Sequence, residues 1–173
     1  MIEAIRGYYA YSQWATERLL AAAERLTPEQ WLAPQNAGRG SIRDTLAHFI
    51  GTQRGWLAWW DGSLPPLQAY GYKLEGSDVP DMAAMRAAWA AMEENTAAFI
   101  AGLTDADLER VYGIDVPQGP RFELALWKMM LHVANHNTQH RSEAAAMMTA
   151  FDCSPGDLDA LFFFGPFGPG AAN

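Results

Sequence analysis

Apolar residues recur every three or four positions along four long stretches of the chain, a period that predicts four amphipathic helices. The first runs from about Ile2 to Leu26, with Ile5, Tyr8 or Tyr9, Ser12, Ala15, Leu19, Ala22 and Leu26 at helical spacing. The TPEQ that follows opens a turn or a new short helix. Beyond the loop NAGRG, Ser41 stands at an N-cap position with Asp44 three residues on, near the positive end of the helix dipole. Helix two then runs from about Ile42 to Trp60. The stretch DGSLPPLQAYGYKLEGSDVP is dense in Gly, Pro, Ser and Asp and reads as a long crossover loop. Helix three starts at Pro80, carries Met82, Met85, Trp89, Met92, Thr96, Phe99 and Leu103 on one face, and ends near Gly102. LERVYGIDVPQGPRF alternates weakly and fits a short extended excursion, whereas FELALWKMMLHVANHNTQHRSEAAAMMTAF is one uninterrupted helical pattern and gives helix four. A short helix from about Pro155 and a Phe-, Gly- and Pro-rich tail close the chain. Two short connections and one long crossover among four such helices predict an all-α fold, a four-helix bundle with a long crossover loop.

Composition narrows this picture. With 173 residues, half of them apolar, the chain can bury one sizeable core, so one domain over 1–173 is expected, with 156–173 as a short helix and tail. The formal charge of -8 repels phosphate backbones and anionic head groups, which argues against nucleic acid as a partner. No segment reaches the roughly 20 apolar residues of a membrane span, so no membrane partner is expected. The single cysteine, Cys153, cannot form an internal disulfide, and MIEAIRGYYAYSQW lacks the features of a secretory signal. Both point to the cytoplasm. Phe162, Phe163, Phe164 and Phe167 are too apolar to lie free in water and should pack on the bundle or on another subunit.

Histidine is where the chemistry concentrates. Of four in the chain, His132, His136 and His140 fall in one helix at steps of four. Each step turns about 40° and rises about 6 Å, so neighbours in this ladder can aim imidazoles at a common ion. The outer pair is about 12 Å apart and cannot join them. A third ligand has to come from another helix, and His48 is the only histidine left to supply it. A single histidine on an apolar face is usually a hydrogen-bonded core residue. Three on one helix need partners for every ring nitrogen, which a metal supplies directly. Three neutral imidazoles suit zinc, nickel, copper or iron, with zinc or nickel foremost, and leave coordination positions open as a catalytic site does.

YSQWATERLLAAAERL, SIRDTLAHFIGTQRGWLAWW and HVANHNTQHRSE, in this order and spacing, resemble the DinB/YfiT-like metalloenzyme superfamily over most of the chain. The resemblance implies that a histidine after the Thr-Leu-x run of helix two, His48, joins the H-x3-H-R pair, His136 and His140, on one metal. It puts His132 a turn above the metal, in a supporting or packing role. Ser142 stands where many members carry Gly after the His-Arg pair. It further implies a metal-dependent enzyme acting on a small molecule, either a transferase using a low-molecular-weight thiol co-substrate or a hydrolase, commonly as a homodimer. A non-catalytic, stress-related metal- or ligand-binding bundle and a purely structural module are the competing readings. Asp44 and Glu143 are candidates to orient a ligand ring. Arg141 is either a substrate contact or a structural charge. Trp56, Trp59 and Trp60, with Tyr11 and Trp14, either wall a pocket or are plain core.

Overall fold

The computed structural model describes residues 1–165, 168 and 169, so Phe167 lies outside the described residues. Its four long helices are α1 (Ile2–Ala23), α3 (Ile42–Trp60), α5 (Met82–Ala101) and α7 (Leu126–Thr149). Short elements lie between and after them: α2 (Pro28–Leu32), α4 (Pro66–Tyr70), α6 (Asp105–Leu108), strands β1 (Val111–Asp115) and β2 (Arg121–Ala125), and α8 (Ala160–Phe164). The fold is all-α, as the periodicity predicts, with one small hairpin. Helix α7 packs against both α1 and α3, and α5 closes the other side against the same two. Among the described residues no helix is long and apolar enough to cross a membrane.

Local chemistry sets the helix starts. The Ser41 hydroxyl accepts from the Asp44 N–H at 3.0 Å, and Asp81 caps α5 through the Ala84 N–H at 2.8 Å. Thr27 begins α2 in a capping box with Gln30. This turn is the short helix that TPEQ allows, and it stops α1 at Ala23 instead of Leu26.

Three stretches differ from the sequence reading. Phe122–Ala125 is not the start of the fourth long helix: it belongs to β2, paired antiparallel with β1 in the register Val111↔Ala125 to Asp115↔Arg121. Four residues fit both periods, and the pairing partner lies outside any local window. The crossover is also more ordered than its composition suggests. Gly51 and Gly55 face it from α3, where an added Cβ would lie 2.6 Å from the Leu74 nitrogen and 2.6 Å from the Ala69 oxygen. The missing side chains let α4 and a 3₁₀ turn at Gly76–Asp78 lie directly on the helix. The last short helix starts at Ala160, not near Pro155. Its Phe163 ring packs against Tyr11 and Trp14, while Leu161 and Phe164 remain largely exposed.

The core falls into two apolar halves. One gathers Leu19, Leu46, Phe49, Met85, Trp89 and Met148; the other gathers Ile5, Tyr9, Leu57, Trp60, Leu126 and Val133. At mid-height all four long helices contribute buried polar residues: Ser12 and Thr16, Gln53, Thr96, and Asn137 with Arg141. The Asn137 amide donates to Gln53 Oε1, and Gln53 Nε2 donates to Thr96 Oγ1 at 3.0 Å. On the other side the Arg141 guanidinium donates to Ser12 Oγ at 3.0 Å and Thr138 Oγ1 at 3.1 Å, beneath the Tyr11 ring. Pairing is what makes burial of these groups tolerable.

Candidate metal centre

His48 projects from the middle of α3, and His136 and His140 project from adjacent turns of α7, the helix packed against it. The packing brings the three rings together. One ligand nitrogen from each lies within 4.8 Å of the other two. His48 Nε2 and His136 Nε2 are 3.2 Å apart, and the His140 ring centroid is 4.7 Å from that of His48 and 4.5 Å from that of His136. His132 stays out of this group. Its centroid is 6.1 Å from His136, and its ring meets the Trp56 ring at a centroid distance of 5.6 Å.

The protonation pattern follows from the neighbours. An arginine can only donate, so the contact of 2.8 Å between the Arg39 guanidinium and His48 Nε2 makes that nitrogen an acceptor and leaves the His48 proton on Nδ1. Glu143 Oε2 lies 2.6 Å from His140 Nδ1, which directs the Nε2 lone pair of that ring toward the other two histidines. Burial, and then the Arg39 cation, lower the His48 pKa to about 4. Burial, and then His140, lower that of His136 to about 4. Both rings are therefore neutral at pH 7, the state in which an imidazole nitrogen can ligate, and the His48 Nε2 lone pair is engaged by Arg39.

This donor set has the character a divalent transition ion requires. A tetrahedral ion with bonds of about 2.0–2.1 Å holds its ligand nitrogens about 3.3 Å apart, and the His48–His136 pair already has that spacing. Without an ion the packing of the three rings is poorly compensated. The Arg39 guanidinium and His136 Nε2 crowd one lone pair on His48.

The other residues singled out in the sequence divide. Glu143 supports His140, whereas Asp44 is held by the Ser41 hydroxyl and by Arg43 and serves the cap of α3. Arg141 is a structural charge, 1% exposed and held by Ser12, Thr16 and Thr138. Trp56, Trp59 and Trp60 form one aromatic group with Tyr70; Tyr11 and Trp14 form another around Phe163. Cys153 is buried in the core. The sequence reading passed over Arg39, although Gly38 and Gly40 on either side of it mark a loop shaped around one side chain.

Four long helices, two of which bring a cluster of imidazoles together, define a bundle of the kind that builds metal sites between facing helices. Residues 12–144 match the family model of the DinB superfamily, and the chain belongs to that superfamily. No curated protein matches it.

Proposed function

We propose that His48, His136 and His140 hold one divalent transition metal, zinc or nickel, and that the protein is a metal-dependent enzyme for a small molecule. The reading is of thiol S-transfer with a low-molecular-weight thiol co-substrate, or of hydrolysis. The observation that carries it is the convergence of three imidazoles from two helices, with Glu143 orienting one of them. A divalent ion with an open position lowers the pKa of a thiol or of water, so that a nucleophile is available near neutral pH. The protein's part is to present neutral nitrogens. Glu143 holds the His140 proton on Nδ1, and burial keeps His48 and His136 uncharged. His48 lies at the edge of the core, on a cleft through which a substrate would reach the site. We further take residues 1–173 as one domain, working in the cytoplasm as a homodimer; the exposed Leu161 and Phe164 of α8 are a surface suited to a second subunit.

Elemental analysis of the untagged protein tests the centre. About one metal per chain is expected for the wild type, with loss in His48→Ala, His136→Ala and His140→Ala. A wild type that stays metal-free after reconstitution with zinc or nickel sinks the proposal. Turnover of the loaded protein with thiol and ester panels then separates the two chemistries, and bound metal with no turnover on either would replace both with a binding protein.

A further inference from the structure

We propose that the cleft beside His48 binds a small organic carboxylate, gripped by Arg39 after that side chain has left His48. The inference rests on a metal ion at the three histidines.

The cleft has a volume of about 650 Å³ and lies between the loop that carries Arg39 and residues 70–77 of the crossover, with His48 and Thr52 of α3 among its walls. Its charge runs against that of the chain. Three cations, Arg39, Arg43 and Lys73, face two carboxylates, Asp44 and Glu75, in a protein of net charge -8. A concave positive surface concentrates anions. Arg43 is already paired with Asp44 at 3.0 Å. Lys73 makes no hydrogen bond or ion pair among the described residues, and the side-chain partner of Arg39 is a neutral ring nitrogen. Lys73 therefore lacks a counter-charge, and Arg39 feels one only in Glu143, with which it forms no ion pair among the described residues. The nearby Glu143 is engaged by His140 and Gln139.

Arg39 and a metal ion need the same lone pair. The guanidinium sits 2.8 Å from His48 Nε2, on the side where that nitrogen meets His136. A divalent ion takes the lone pair and repels the guanidinium, so Arg39 has to turn away. Its backbone permits this without moving: the Arg39 N–H is fixed to Thr45 Oγ1 at 2.9 Å, and the flanking Gly38 and Gly40 hold left-handed φ angles of 61° and 95°. The freed guanidinium swings into the cleft it already lines, where it can meet a carboxylate through two parallel N–H donors. Lys73 supplies a second cation. Tyr70, whose ring stands edge-on to Trp56, offers an apolar face to the body of the ligand.

Arg39 thus opposes the metal and favours the anion, and one substitution separates the two effects. Zinc affinity is measured by competition with a chromophoric chelator, and benzoate binding by calorimetry, for the wild type, Arg39→Gln and Lys73→Gln, with benzamide as the uncharged counterpart. Arg39 is exposed, and circular dichroism checks that each variant keeps the fold. In Arg39→Gln, zinc is expected to bind several-fold more tightly and benzoate to the zinc-loaded protein about tenfold more weakly. Lys73→Gln weakens benzoate and leaves zinc unchanged, and benzamide binds to none. Benzoate binding that is the same in wild type and Arg39→Gln, or matched by benzamide, overturns the carboxylate site while one zinc per chain leaves the metal centre standing. Failure of the wild type to bind zinc overturns both.

Discussion

At the scale of single residues, buried charge is the recurring problem and each instance is met differently. Among the described residues Arg141 has no carboxylate partner, and hydroxyls from two helices with the face of Tyr11 replace the water it has lost. Glu93, on α5, is met less well. Burial, and then the charge of Glu17, raise its pKa to about 7. The folded value lies above the unfolded one, so this group favours folding most below pH 4.5, and that contribution is lost as pH rises through 7. Glu93→Gln is therefore expected to flatten the fall of Tm between pH 5 and 8 and to stabilise the protein at pH 8 by about 2 kcal/mol. Parallel pH profiles for the two proteins would show that Glu93 does not titrate in this window. The histidine cluster was the most legible feature at this scale, because His132, His136 and His140 recur at steps of four on one helix and leave His48 as the one other histidine; which two of the ladder join His48 came from the family resemblance. Arg39 was not legible: its role depends on where a loop of seven residues between Ala33 and Ser41 directs one side chain toward another helix.

At the scale of elements, the long helices follow from apolar spacing and the short ones from contacts that spacing does not encode. The start of α3 was readable because its cap is chemistry within four residues, whereas α5, expected from Pro80, starts at Met82 because Asp81 takes the capping position. Of the hairpin, the extended stretch over β1 was readable and the full length of β2 was not, because β2 takes its structure from β1, across a turn with Gln118 at a φ of 59°. The crossover depends on Gly51 and Gly55, four apart on α3. In an isolated helix Gly→Ala is worth about 1 kcal/mol of added stability. Here the new methyl at position 55 would meet the Ala69 carbonyl oxygen at 2.6 Å and Tyr72 Cβ at 3.0 Å, both on the docked crossover. Gly55→Ala should therefore reverse the usual sign and cost about 1–3 kcal/mol in urea unfolding, with faster proteolysis around residues 64–74. A variant more stable than wild type would mean that the crossover does not rest on this face.

At the scale of the whole molecule, the bundle topology was legible, and with it the superfamily, since both rest on the order and spacing of the long helices. The organisation of its interior was not. Ser12, Thr16, Gln53, Thr96 and Asn137 each look like an isolated polar interruption in an apolar stripe, and only the packed bundle sets them at one level. That level coincides with His136 and His140 on α7, so the helix that carries two of the three imidazoles is fixed toward α1 by Arg141 and toward α3 by Asn137. The belt also isolates the two ends of the protein from each other. Ile50 belongs to one apolar half and Ile100 to the other. Ile50→Val and Ile100→Val should each cost about 0.5–1.5 kcal/mol, and the double variant should equal their sum to within about 0.5 kcal/mol. A larger coupling energy would show that strain crosses the belt. With additivity, the protein becomes two separately adjustable cores joined at a fixed collar, and either could be rebuilt for heat resistance while the geometry of the histidines stays as it is.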